Sequence, residues 1–142
     1  MSIAVEKISE AKTLLASGVE AINADADSNS SIILDLENYN FAEFALTCSA
    51  YTAGDVTPFI TIGDESNLSD GVKLTDASFN VVNELGNNKL GFANAKVSGL
   101  NEVKTFGLIR NKRYARVGFT GANSANLSVL ATVRVSVTDQ PA

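Results

Sequence analysis

The chain reads as all-β, an antiparallel β-sandwich of jelly-roll-like type preceded by an N-terminal helix or arm. Three observations predict this. The run "NLSVLATVRVSV" places Leu127, Val129, Ala131, Val133, Val135 and Val137 on one face and Ser128, Thr132, Arg134 and Ser136 on the other. Alternation of period two over that length is the mark of an antiparallel strand with one wet face. Turn-forming clusters, "DADSNSS", "TAGD", "GDESNLSDG", "ELGNNKLG" and "TGANSAN", separate short apolar runs and divide the chain into about eight strands. Helical spacing is confined to the first eighteen residues.

In chain order, Ile3, Ile8, Leu14 and Leu15 fall near helical spacing, and Gly18 can close a helix; an extended arm fits equally well. Residues 1–18 are therefore set apart as an arm or short helix, and residues 19–142 as a single β-sandwich domain. The apolar residues of the arm, Ile3, Ile8 and Leu14, need a surface, and the expectation is that Met1–Ser17 packs outside the chain's own β core, against another subunit. "SSIILDL" then places Ile32, Leu34 and Leu36 on one face of a strand. "FAEFALTCSAY" places Ala42, Phe44, Leu46, Cys48 and Ala50 on one face, with Glu43, Thr47 and Ser49 mostly on the other. "PFITIG" is a third strand, with Pro58 at its start, where a missing N–H does least harm. "GVKL" and "ASFNVVN" are weaker strands, and "KTFGLI" and "YARVGF" form a hairpin around "RNKR". The segment Glu84–Glu102 has weak periodicity and is long for a hairpin; such loops usually carry function or contacts.

Composition narrows the function. At 142 residues the chain has one domain's length, and its net charge is −5. No apolar run approaches the ~20 residues that span a bilayer, so no membrane partner is expected. Glu6, Lys7, Glu10 and Lys12 among the first apolar residues are wrong for a secretory signal, which points to synthesis in a reducing cytoplasm. The lone Cys48 reads as a small buried hydrophobe. There is no His, which removes the usual general base, the usual partner of a Ser or Cys nucleophile and the commonest metal ligand. With one Cys, no ordinary zinc site can be built. There is no Trp either, which counts against a sugar-binding module. No enzyme, cofactor, metal site or catalytic residue is expected.

The motifs agree. Taking Asp64 as the first position of a calcium loop, the fifth is Leu68 and the twelfth is Thr75, and the EF-hand pattern fails. Around Asp25, Asp27 and Asn29, Ser30 stands where the turn Gly belongs and Leu36 where the closing carboxylate belongs. Both clusters read as solvated acidic turns whose carboxylates serve backbone geometry. Phosphate-loop and nucleophile-elbow patterns are missing.

Charge is segregated along the chain. Glu20 to Asp70 holds ten acidic residues and no Lys or Arg, whereas Val103 to Thr138 holds six basic residues and no acid. Either acidic and basic strands lie side by side and pair, or each subunit has an acidic face and a basic face that orient neighbouring copies. Arg110, Lys112, Arg113 and Arg116 concentrate the positive charge around one hairpin, with Tyr114 between two arginines as in a single-strand stacking platform. An acidic chain repels a polyanion at long range. The expected partners of these four residues are therefore carboxylates of protein, on their own subunit or a neighbour, and not nucleic acid.

"LENYNFAEFAL", the short strand "FITIGDES" ending in an acidic turn, "GLIRNKRYARVGFTG" and the final alternating strand together resemble a group of small tailed-bacteriophage virion proteins of the capsid decoration (cement) type. The match runs from about Lys12 to Val137 and is carried by the order of elements and the "KRYARV" hairpin. The resemblance implies a β-sandwich subunit on the capsid exterior, binding across adjacent copies of the major capsid protein, typically as a trimer. The longer Glu84–Glu102 segment and the extra N-terminal residues depart from that pattern and suit contacts particular to one particle. The alternatives are another virion component, at the head–tail junction or in the tail, and a carbohydrate- or receptor-binding sandwich.

Overall fold

The computed structural model describes residues 11–76, 78, 81–82 and 91–137; Ile3 and Ile8, and with them most of the expected helix or arm, lie outside the described residues. The described residues form β1 (Ala11–Leu15), β2 (Glu20–Ile22), β3 (Asp27–Asn29), β4 (Leu34–Asp35), β5 (Phe41–Gly63), β6 (Val72–Lys73), β7 (Val81–Val82), one helical turn α1 (Gly91–Asn94), β8 (Val103–Ile109) and β9 (Tyr114–Ser136). The strands make one sheet in the order β1-β9-β5-β8-β7, with β2, β3 and β4 also paired to β9 and β6 to β5. Every pairing is antiparallel.

The two long strands create the sandwich. β5 and β9 have 23 residues each and pair from Phe41↔Ser136 to Gly63↔Tyr114. A straight strand of that length would run about 75 Å. Ile109 pairs with Phe41, yet Tyr114 pairs with Gly63, at the opposite end of β5. The link Arg110–Arg113 between them reaches at most about 18 Å. The β5/β9 ribbon must therefore fold back on itself and set its two halves against each other.

The fold-back is built from inserted residues. The β5/β9 register shifts at Cys48/Ala50, Tyr51/Ala53 and Ala53/Asp55, and such bulges bend and twist a strand. Gly54 (φ 79°), Asn123 (φ 61°) and Ser124 (φ 63°) take the left-handed conformation there. The Asp25 carboxylate accepts the N–H groups of Ser124 and Ala125 at 3.1 and 2.9 Å, and Asn123 donates to Asp55 at 2.6 Å. "TAGD" and "TGANSAN", expected to end strands, thus bend continuous ones. "PFITIG" is the second half of β5, and Pro58 lies inside that strand, not at its start. Ala50, expected on the buried face, is exposed because the bulge after Cys48 breaks the alternation.

The core fills the space between the halves. Ala42, Phe44, Leu46 and Cys48 of β5 meet Val129, Ala131, Val133 and Val135 of β9 in one buried cluster with Ile60, Ile62, Val117 and Phe119 from the other half. Phe44 stacks on Phe106 at 5.0 Å, and Phe92 of α1 packs edge-on to Phe106 at 5.3 Å. The described part of the long Glu84–Glu102 segment is therefore partly core. Asp76 fixes it by accepting the N–H groups of Phe92 and Ala93 at 2.7 and 3.2 Å.

The N-terminal expectation is corrected where the residues are described. Residues 11–15 are a strand, not a helix, paired from Ala11↔Ser136 to Leu15↔Thr132. Leu14 packs against the chain's own core, and Ala16 and Ser17 are wholly buried. The Ser17 hydroxyl accepts the Ala131 N–H at 2.9 Å, and the Ser30 hydroxyl donates to the Ala16 carbonyl at 2.9 Å. The reason is tertiary: the backbone groups along β9 need partners, and satisfying them outweighs a weak helical spacing over so short a segment.

Candidate interaction surface

The basic segment Arg110–Arg116 does not form the expected hairpin: β8 and the start of β9 pair with opposite ends of β5 and not with each other, so the segment crosses between the two halves at the corner where both ends of β5 meet. Arg113 makes a two-pronged contact with Asp35, Nε and Nη2 donating at 3.0 and 2.9 Å, and its Nη2 also lies 2.9 Å from Glu37. Lys112 pairs with Asp64 at 3.2 Å. The Arg113 guanidinium lies 5.0 Å from the centre of the Tyr114 ring, which it covers. The hydrogen bonds from Arg113 hold the Asp35 carboxyl below its ordinary pKa, and the same contact pushes the Arg113 guanidinium up. Arg110 behaves differently from expectation: its Nη1 donates to the carbonyls of Leu36 and Glu37 at 3.0 and 2.9 Å rather than to a carboxylate. Arg116 stands apart on β9 opposite Thr61, with its Nε buried and without a hydrogen-bond partner.

The segregated charges thus pair within the subunit. A second link has the same character: Lys73 contacts Asp27 at 2.7 Å and lies 4.4 Å over the Phe59 ring. Lys73, and then the Thr120 hydroxyl at 2.7 Å, keep the Asp27 pKa low. A stacking platform for nucleic acid would need Tyr114 and its arginines free, whereas Arg113 is spent on Asp35 and Glu37.

The acidic turns serve the backbone. Asp70 accepts the N–H groups of Asp64 and Glu65 at 2.9 and 3.1 Å, which lower its pKa in that order. Asp25 is lowered likewise by the N–H groups of Ala125 and Ser124. Among the described residues no group of three His, Cys, Asp or Glu could hold a metal ion. Cys48 is buried, and burial pushes its thiol pKa up, which suits a core residue and not a nucleophile.

One surface was not singled out from the sequence. The outward face of the first half-ribbon is formed by β1, β9, β5 and β8 side by side. Opposed residues in an antiparallel sheet point the same way, so the register builds rows. Leu15, Thr132, Ala45 and Thr105 form one row, and Thr13, Arg134, Glu43 and Gly107 form another. Leu15 (56% exposed) and Val103 (60%) stand at opposite margins. Alternation alone puts Glu43 and Arg134 on wet faces, but only the pairing of strands far apart in sequence puts them opposite each other.

No family model matches the chain, and no curated protein matches it in sequence. Among solved structures it is similar to the SPBc2 prophage-derived protein YomS, with a TM-score of 0.48 and 12% identity over 89% of this chain and 94% of that chain.

Proposed function

We propose that the protein is a non-catalytic structural component of a phage virion that decorates the outside of the capsid and cements it by binding across adjacent copies of the major capsid protein. The observation that carries this reading is where the segments with the decoration-type resemblance lie. "LENYN", "FITIGDES", "IRNKRYARV" and the end of the last strand are distant in sequence, yet they lock together at one corner. The Leu36 N–H donates to the Arg113 carbonyl at 2.8 Å, the Arg110 N–H to the Asn40 carbonyl at 3.0 Å and the Asn40 N–H to the Ser136 carbonyl at 3.2 Å. Lys112 joins Asp64 to the same corner. The residues that carry the resemblance thus form a structural framework of the subunit.

The mechanism is differential affinity. Contacts that span two capsid subunits exist only once the shell is assembled, so binding shifts the equilibrium toward the shell by mass action. A folded-back sheet with one continuous core is suited to this, because a rigid subunit loses little entropy on docking. The test is to mix the purified protein with undecorated shells of its phage and, separately, with unassembled capsid protein. Saturable binding to shells, with raised resistance to heat, is expected. Equal binding to free capsid protein would contradict the reading.

A further inference from the structure

We propose that the outward face formed by β1, β9, β5 and β8 is a self-association surface, which joins two copies of the chain face to face about a two-fold axis. The axis runs along the strands between β5 and β9. The inference does not depend on the capsid reading.

The chain carries −5, so most surfaces of two copies repel. Among the described residues, the register places only two charged side chains on this face, Glu43 and Arg134, directly opposite each other on neighbouring strands. The described residues of the face are therefore neutral in sum and self-complementary in one orientation. A two-fold axis along the strands brings Glu43 against Arg134 of the second copy, and Arg134 against its Glu43. An axis across the strands would bring Glu43 against Glu43, and is disfavoured. The chosen orientation also lays exposed Leu15, at the β1 margin, toward the β8 margin of the second copy, where Val103 is exposed. Sheets packed this way keep their strands roughly aligned, the ordinary face-to-face arrangement.

Size sets the strength. Four strands about 4.8 Å apart over some 20 Å of length give a face of about 400 Å². Stable complexes bury about 800 Å² on each partner, so the pair is weak and dissociates on dilution.

Sedimentation equilibrium of the full chain over a concentration series tests this. Wild type is expected to show a reversible monomer–dimer equilibrium. Glu43→Arg leaves two arginines facing two arginines, and Arg134→Glu two acids facing two acids; each should weaken the dimer roughly tenfold or more. Mixing the two single variants should restore association as a heterodimer, and the double swap should restore the homodimer. Recovery on mixing also shows that both variants are folded. A wild type monomeric throughout, a cyclic trimer indifferent to both substitutions, or single variants that dimerise like wild type would each overturn the proposal. The shell-binding experiment is read out separately, so either idea can fail alone.

Discussion

Single residues hold this fold where two backbones or a ring and a backbone meet. The Phe59 ring lies directly on the α-carbon of Gly118, in the space a β-carbon there would occupy. Gly118→Ala should therefore cost about 1–3 kcal/mol through overpacking, measured by denaturant unfolding, although alanine is the better strand residue of the two. Ser30 is a different case. Its buried hydroxyl donates to Ala16 and accepts the Ile32 N–H at 3.1 Å. Ser30→Ala strands both backbone groups and should cost about 1–3 kcal/mol. By contrast, Asp27→Asn weakens a pair whose side chains are both about half exposed, and solvent screening limits the loss to a few tenths of a kcal/mol up to about 1. That ordering, with Gly118 and Ser30 above Asp27, is what thermal denaturation of the three variants should return.

Among the elements, the bend and the first strand matter most. Deleting residues 1–17 removes β1 from the edge of β9 together with buried Ala16 and Ser17. The truncated chain should melt well below the intact one, and an unchanged melting temperature would show that β1 is dispensable. The alternation of 127–135 was readable because one face is core and the other is wet. The bends were not readable as bends, since Gly54, Asn123 and Ser124 are the residue types that also end strands; nothing local separates a turn from a kink. β1 was hidden for another reason: its extended state comes from the open edge of β9, more than a hundred positions away. The cis pairing of the basic segment was half legible, while the hairpin expected there was not formed, because "KTFGLI" and "YARVGF" each found a different half of β5. The charge runs showed that opposite charges were available, but Asp35 and Arg113 are 78 residues apart, and only the fold-back decides that they meet. The Glu43–Arg134 juxtaposition required a register that neither strand carries by itself.

The whole molecule is tuned for stability near neutral pH. Asp25, Asp27, Asp35 and Asp70 all titrate below the ordinary carboxylate value in the folded state. The unfolded chain therefore takes up protons first as pH falls, and the stability these groups contribute is intact above about pH 5 and lost progressively below about 4. With no His in the chain, no side chain of ordinary pKa titrates between about pH 5 and 8. The melting temperature should be flat across that interval and fall on acidification below about pH 4; a step near pH 6.5 would contradict this. The basic corner is already paired with Asp35, Glu37 and Asp64 of its own subunit, as the proposed binding to a protein shell allows. The proposed capsid role is tested by comparing a reconstruction of the phage particle with one of particles lacking this protein. Difference density is expected on the outer surface of the shell, bridging neighbouring capsid subunits. Difference density confined to the tail, or to the interior against the genome, would contradict it.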